Sequence, residues 1–173
     1  MRVLSHVCCG PCFTAVHENL SQSGYDLAAY YYNPNIHPVE EYRLRLSHLE
    51  RFCGRYSVPL IAGDYEVREY FAAVDGHEDK PDRCIRCYTL RLERTAELAA
   101  QDDYDAFTTS LLLSPYQYHD ELRAVADKLS GEHDIEFLYR DFRPAYRRSI
   151  ELSKSLDMYR QKYCGCAFSE KER

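Results

Sequence analysis

The chain has 173 residues, of which 45% are hydrophobic and 29% are charged, and its net charge is −6 at pH 7. Its length suits one domain with a sizeable core, since single cores stop growing only at about 250–300 residues. The composition excludes a disordered or fibrous protein. No apolar run approaches the roughly 20 residues of a membrane span, and Met1 opens no signal peptide, so we expect a cytoplasmic protein.

Short apolar runs alternate with amphipathic stretches along the chain. The runs predict β-strands at 3–7, 27–32, 58–62, 106–109 and 135–139. The amphipathic stretches predict helices at 12–20, 40–56, 66–74, 84–100, 120–129 and 144–163, with Gly131 ending the fifth. Such alternation is typical of crossover units. We therefore expect a single α/β domain over 1–173, with a parallel sheet of about five strands flanked by helices.

Four loops of the predicted fold follow strands and should meet at one edge of the sheet. Ligands of parallel sheets bind in the crevice at the carboxyl ends of the strands. The loops expected there are 8–12, 33–37, 110–115 and 141–143. We also expect the last helix and tail, about 144–173, to close over this edge.

Seven of the eight cysteines fall into three short clusters, namely Cys8, Cys9 and Cys12; Cys84 and Cys87; and Cys164 and Cys166. Thiols used only for packing would be scattered among separate buried positions. In a reducing cytosol, clustered thiols indicate metal ligation or dithiol chemistry. We interpret the three clusters as parts of one site.

The CxxC motif lies on the predicted first turn of a helix, where Cys84 and Cys87 face the same way. The positive end of the helix dipole there favours thiolates. In the turn beside Gly10, Cys8 and Cys9 can diverge to hold two corners of a cluster. Four thiolates from two loops suit either zinc or an iron–sulfur cluster, and the spacing does not separate these.

For the other cysteines and the histidines, the sequence predicts roles that differ in kind. Cys164 and Cys166 flank one glycine near a terminus and suit either a labile disulfide or a second metal, with Cys12 as a further ligand. Cys53 stands alone on an apolar helix face and is predicted to be a core thiol. His6 is predicted to be a core histidine, whereas His37 and His119 lie in predicted mouth loops as candidate ligands or acids.

Positive charge is concentrated near the carboxyl end of the chain. Residues 140–162 contain seven basic and three acidic residues, although the chain as a whole is acidic. A basic helix on an acidic body can approach phosphates. A solvated helix face explains the same charges equally well.

Six motifs, in order along nearly the whole chain, resemble the epoxyqueuosine reductase QueH family. They are HVCCGPC at 6–12, YYNPNIHP at 31–38, RCIRCYTLRLERTA at 83–96, TTSLLLSPYQYH at 108–119, DFRP at 141–144 and KYCGCAFSE at 162–170. The chain departs from the family pattern at one position. The family has alanine after the paired cysteines, whereas this chain has Gly10, which is also a small residue.

The resemblance implies a cobalamin-independent enzyme that removes the epoxide oxygen from epoxyqueuosine at the wobble position of tRNA. It implies a nucleotide alpha-hydrolase-like (HUP-like) fold and a [4Fe-4S] cluster with an adjacent mononuclear iron. The implied cluster ligands are Cys8, Cys9, Cys84 and Cys87, and the implied redox-active pair is Cys164 and Cys166. Cys12, a tail thiol or Asp141 is the expected ligand of the second iron.

Releasing an epoxide oxygen as water consumes two electrons and two protons and requires a polarised C–O bond. We expect Asp141, or otherwise His37, to be the acid, and an electron donor that the sequence does not identify. The basic last helix should contact anticodon-arm phosphates, and aromatics in the crevice should accept an unstacked base. The first loop carries CCGPC instead of a Gly- and Ser-rich phosphate cradle, so we expect no use of ATP.

Two other functions compete with this interpretation. A cluster-dependent tRNA sulfur transferase would activate its base with ATP, so the missing phosphate loop counts against it. A zinc-stabilised RNA-binding module would need no electrons and would be colourless, whereas a cysteine-ligated iron–sulfur cluster is brown.

Overall fold

The computed structural model describes residues 1–172 and contains one five-stranded parallel sheet. Its strands are β1 (Arg2–His6), β2 (Asp26–Tyr31), β3 (Leu60–Ala62), β4 (Ala106–Thr109) and β5 (Glu136–Phe137). They are arranged in the order β3-β2-β1-β4-β5. The predicted strand count and parallel direction are therefore confirmed.

The centre of the sheet is β1, which pairs with β2 on one side and β4 on the other. Its residues after Arg2 are all buried, which explains why the sequence shows a continuous apolar run there without alternation. His6 is in register with both Tyr30 and Thr109. The chain changes direction across the sheet between β1 and β4, and the carboxyl ends of these strands form the crevice expected for a ligand.

The helices are α1 (Gly10–Gln22), α2 (Val39–Tyr56), α3 (Val67–Val74), α4 (Asp82–Gln101), α5 (His119–His133), α6 (Tyr146–Ser155) and α7 (Ala167–Lys171). Helix α1 packs against α2 and α6, whereas α4 packs against α3 and α5. Right-handed crossovers place these two groups on opposite faces of the sheet. The loops that connect strand to helix therefore meet at one edge.

The prediction that Gly131 ends α5 is wrong. The helix continues to His133 and is ended by Asp134, which has a φ of 50° in the left-handed region. Ser130 fixes this end, because its hydroxyl donates to the carbonyl of Ile135 at 2.7 Å and its own carbonyl accepts from the Ile135 N–H at 3.2 Å. The hydrogen bonds between Ser130 and Ile135 therefore set the end of α5, and they outweigh the preference of glycine for helix ends.

The predicted long helix at 144–163 is also wrong. Residues 143–145 form a 3-10 turn, α6 ends at Ser155, and Asp157 has a φ of 48°. The following residues contact other elements: the Tyr159 N–H donates to Nδ1 of His48 at 3.3 Å, and the Gln161 amide donates to the sulfur of Cys9 at 3.0 Å. Tertiary contacts, which helical periodicity does not encode, hold this segment in an irregular conformation.

Replacing Gly131 tests the observed end of α5. A Cβ at Gly131 would meet no heavy atom within 4 Å. We expect Gly131→Ala to raise the free energy of unfolding by about 0.5–1 kcal/mol, because alanine is the better helix former.

Gly24 is the matched control, since a Cβ there also meets nothing within 4 Å but its φ is +81°. We expect Gly24→Ala to lower the free energy of unfolding by about 1–2 kcal/mol. Urea unfolding measures both changes. A destabilised Gly131→Ala variant would show that the helix ends earlier.

Candidate metal centre

The first thiol cluster forms where β1 passes into α1. The sulfur atoms of Cys8, Cys9 and Cys12 all lie within 4.8 Å of one another, and those of Cys8 and Cys9 are 4.0 Å apart. Cys8 and Cys9 are buried and Cys12 is half-buried. Within residues 1–172, no other three cysteine, histidine or carboxylate ligand atoms come so close together. This triad is the candidate metal centre.

Local structure explains how three thiols of one short segment converge. Cys9 is extended, with φ −165° and ψ 149°, and α1 begins at the next residue with Pro11 in its first turn. The extended residue separates the directions of Cys8 and Cys9, and the first turn brings Cys12 back beneath them. Gly10 leaves room for the end of the flexible Met158 side chain, which lies against this turn.

Neighbouring strands support the triad. The Cys8 N–H donates to the hydroxyl of Ser110 at 3.3 Å, from the segment after β4. The Asn33 amide donates to the carbonyl of Val7 at 2.9 Å, from the loop after β2. Both loops were predicted to open onto this edge, and the structure confirms it for these residues.

The three thiols of the triad do not ionise independently. Hydrogen bonds from Cys12 and then Cys9 lower the pKa of Cys8 well below its usual range. Hydrogen bonds to Cys8 and Cys9 raise the pKa of Cys12. Cys8 is therefore the first of the three to lose its proton, with Cys9 and Cys12 as its hydrogen-bond donors. A bound cation would favour loss of the two remaining protons as well.

The CxxC and the CxC tail form a second group of thiols beside the triad. Cys87 and Cys166 are buried together with Tyr70 and Val74 in one small apolar cluster. Both cysteines of the tail act electrostatically on Cys84 and on Cys87.

Cys164 links the two groups, because it also interacts electrostatically with Cys8. The three cysteine clusters predicted to form one site therefore lie along one rim. Only the triad has its sulfur atoms as close as 4.8 Å.

The tail is held against the rim through its backbone. Arg45 donates to the carbonyls of Cys164 at 2.9 Å and Tyr163 at 3.1 Å, and the His37 N–H donates to that of Gly165 at 2.8 Å. Cys164 is an exposed residue, yet burial raises the pKa of its thiol. Its thiol therefore faces the protein, where it interacts with Arg91, Cys166 and Cys8. All eight cysteines are free thiols.

Two residues predicted to belong to the core do so. Cys53 is buried in α2, where burial raises its pKa to about 12. His6 is fully buried, with Nδ1 at 3.0 Å from the Thr109 hydroxyl and Nε2 at 3.2 Å from the Tyr32 carbonyl. Burial lowers the pKa of His6 to about 3. Neither residue is available as a proton donor near pH 7.

Asp141 is an exposed carboxylate paired with Arg143. The guanidinium of Arg143 donates to it at 2.8 and 2.7 Å and lowers the pKa of Asp141 to about 2. Such a group carries no proton near pH 7, so this arrangement suits Asp141 to ligation rather than to the predicted role of acid. His119 interacts electrostatically with both residues, and the Ser114 carbonyl acts on its ring.

His37 lies directly against the CxC tail. Its ring stacks on Phe71 with centroids 5.0 Å apart, and Nδ1 accepts the Ala167 N–H at 3.3 Å. Burial lowers the pKa of His37, so the ring is neutral and its proton resides on Nε2. The Pro34 carbonyl also acts on the His37 ring, and the hydroxyl of the neighbouring Tyr70 interacts with the Cys166 thiol. His37 and Tyr70 therefore both lie against the CxC tail.

Three buried arginines lie beside the thiols: Arg45, Arg83 and Arg91, none more than 3% exposed. Each interacts electrostatically with a different set of rim thiols. The position of Arg83 directly before Cys84 predicts its positive charge beside the CxxC but not its burial. Arg91 was missed, although it follows Cys87 by four residues and Cys84 by seven, a spacing that puts all three on one face of a helix. Arg45 was also missed and carries no comparable signal.

The basic carboxyl-terminal segment is less available for phosphates than its composition indicates. Arg143 pairs with Asp141, Arg148 pairs with Glu18 at 2.7 Å, and Arg140 donates to Asn19 at 2.6 Å. Five cations of the segment form no ion pair within residues 1–172, namely Arg140, Arg147, Lys154, Arg160 and Lys162.

An aromatic pair lies beside the triad. Tyr116, in the loop after β4, is 80% exposed and meets Tyr146 edge-on with ring centroids 6.2 Å apart. Tyr146 interacts electrostatically with Cys12 and with the exposed Arg160. The mouth of the site therefore offers an uncovered ring next to a cation. None of the helices within residues 1–172 is both long and apolar enough to cross a membrane.

Comparison with solved structures supports the fold. A predicted subunit of a tRNA methyltransferase from Methanocaldococcus jannaschii superposes with a TM-score of 0.58, over 89% of this chain and 74% of that one. The two sequences are 16% identical, so the likeness concerns architecture only.

Comparison with known sequences identifies the family. A sequence model described as "Epoxyqueuosine reductase QueH" matches residues 3–172. Proteins of that name from Dehalococcoides mccartyi and Thermotoga maritima are 38% and 34% identical to this chain. The alignments cover 99% of this chain in both cases, and 94% and 91% of the respective relatives. The chain therefore belongs to the QueH family of epoxyqueuosine reductases.

Proposed function

We propose that this protein reduces epoxyqueuosine to queuosine at the wobble position of tRNA, using a [4Fe-4S] cluster held by cysteines. Two features together support the proposal. The family match extends over residues 3–172, and all seven clustered thiols of the chain lie along the carboxyl edge of its sheet.

The residues at the rim fit a cluster of this kind. Thiolates are the ligands that iron–sulfur clusters require, and the triad already brings three sulfurs within 4.8 Å of one another. We propose Cys8, Cys9, Cys84 and Cys87 as cluster ligands. An adjacent iron would then be held by Cys12 together with a tail thiol or Asp141. When bound, these groups supply electrons singly and polarise the epoxide oxygen.

The tail supplies a dithiol. Oxidation of Cys164 and Cys166 to a disulfide releases two electrons and two protons, which equals what an epoxide consumes in becoming an alkene and water. An external electron donor would then restore the thiols. The competing use of these thiols is ligation of the second iron. In both cases, we propose that residues from about 144 onward close over the site.

His37 is the better candidate for donating a hydrogen bond to the departing oxygen. Its ring is neutral and lies against the tail, whereas Asp141 is ionised. We propose that His37 orients the oxygen and the tail, and that Asp141 serves as ligand or holds Arg143. Nothing in this scheme uses ATP, since thiols occupy the loop where ATP-binding relatives of the fold place a phosphate cradle. A reducing cytoplasm fits eight free thiols.

The decisive experiment is turnover by the anaerobically reconstituted protein. The assay contains tRNA carrying epoxyqueuosine and a chemical reductant but no ATP, and nucleosides are analysed by mass spectrometry. We expect the modified nucleoside to lose the mass of one oxygen atom. A wild-type protein that binds iron and sulfide but leaves the nucleoside unchanged would refute the proposed function.

Cysteine variants test the assignment of ligands. We expect Cys84→Ala to lose both the brown colour and turnover, because a cluster ligand is removed. The matched control is Cys53→Ala, a buried thiol away from the rim, which should keep both while losing some stability. Visible absorbance measures the iron–sulfur cluster, and nucleoside analysis measures turnover. Retained colour in Cys84→Ala would contradict its place in the cluster.

The exposed ring of Tyr116 is the proposed stacking platform for the unstacked base. We expect Tyr116→Ala to weaken tRNA binding by about 1–3 kcal/mol, the usual loss for one base–aromatic stack, with iron content unchanged. Tyr116→Phe should bind like the wild type. Tyr56→Ala is the control, since that ring is 43% exposed at the far end of α2. Unchanged tRNA affinity in Tyr116→Ala would rule out stacking.

A further inference from the structure

Arg91 is a buried cation without a carboxylate. It lies on α4 and is 1% exposed. Its Nε donates to the carbonyl of Cys87 at 3.2 Å and its Nη1 lies 3.5 Å from the side-chain oxygen of Asn33. Its Nη2 is buried with no hydrogen-bond partner among the described residues. No ion pair within residues 1–172 includes Arg91.

The other two buried arginines differ in this respect. Arg45 pairs with Glu41 at 2.8 Å, and Arg83 pairs with Glu172 at 2.8 Å. A buried charge is strongly destabilising unless an opposite charge compensates it. The protein provides that compensation for Arg45 and Arg83 with carboxylates. For Arg91 the compensating charge must come from something else.

The groups around Arg91 show where that charge would be. Burial by itself lowers the pKa of Arg91, but attraction to Cys87, Cys164 and Cys8 outweighs it, so the net shift is upward. Each of these thiols belongs to a different one of the three clusters. Asn33, which contacts Arg91, also donates to the carbonyl of Val7, directly before Cys8. The guanidinium therefore sits where the three thiol clusters face one another.

We infer that Arg91 is the counter-ion of the metal–thiolate cluster and raises its reduction potential. The inference rests on the proposed function, because it requires a cluster at this rim. A cluster with thiolate ligands is anionic, and each electron added makes it more negative. A fixed positive charge in a buried environment therefore favours the reduced state. Arg91 acts through the cluster and its ligands, so it is a positioning residue.

The test compares Arg91→Gln, Arg91→Lys and Arg94→Gln after anaerobic reconstitution. Glutamine keeps hydrogen-bond donors but removes the charge, and lysine keeps the charge. Arg94 is the matched control: it lies on the same helix, is 47% exposed and is paired with Glu69 and Glu97. The measurements are iron and sulfide per chain, the rate of iron loss to a chelator, and the midpoint potential from a redox titration followed by electron paramagnetic resonance.

We expect Arg91→Gln to have a more negative midpoint potential than the wild type and to lose iron several-fold faster. Arg91→Lys should lie close to the wild type, and Arg94→Gln should be indistinguishable from it. Thermal unfolding of the metal-free proteins adds a measurement of folding. Metal-free Arg91→Gln should unfold no earlier than the metal-free wild type, since it lacks an uncompensated charge.

The outcomes separate the two proposals. If the wild type takes up no iron–sulfur cluster, the proposed function fails. If the wild type does so and Arg91→Gln shows the same potential and iron loss, this inference alone fails. If Arg91→Gln does not fold, the same measurements are made on Arg91→Met, whose side chain fills a similar space without charge. A metal-free Arg91 variant that folds but unfolds earlier than the metal-free wild type would make Arg91 a structural residue and overturn the inference.

Discussion

The site depends on how buried positive charges at the carboxyl edge of the sheet are neutralised. Three guanidinium groups are buried beside rim thiols, at a place where water cannot solvate them. Two are compensated by carboxylates, Glu41 and Glu172. The third, Arg91, has no carboxylate partner within residues 1–172 and interacts electrostatically with one thiol from each cluster. The rim is therefore suited to an anionic group, and a metal held by thiolates has that character.

The topology of the sheet makes this concentration of charge possible. The thiols come from β1, α4 and the carboxyl-terminal tail, which are distant in the sequence. Parallel strands end at the same edge, so every strand-to-helix loop delivers its first residues there. The tail then returns to the same place by binding Arg45 and His37 through backbone groups. The common edge of the parallel strands thus brings thiols, cations and an aromatic ring together within one domain.

Much of this arrangement was predictable from the sequence, and the misses have physical causes. Apolar runs identify β1 and β4 because buried parallel strands need both faces apolar, and thiol clustering identifies Cys8 and Cys84 because packing alone would scatter them. The end of α5 was missed because it depends on Ser130 and the left-handed Asp134.

The carboxyl-terminal half of the predicted last helix was missed for a related reason. Contacts with His48 and Cys9, which local periodicity does not encode, hold residues after Ser155 in an irregular path. The role of Asp141 depends on a salt bridge with Arg143, and the burial of Arg45 depends on carbonyls more than a hundred residues away. Pairings across such distances are set by tertiary packing, so neither composition nor spacing reveals them.

The surroundings of Cys164 have a consequence for its reactivity. Of the eight cysteines, all within the described chain, Cys164 alone is an exposed residue, yet burial raises the pKa of its thiol. Peroxide and alkylating agents attack the thiolate, so a raised pKa slows their reaction with this sulfur. The protein therefore keeps the cysteine nearest to solvent in its protonated, less reactive form.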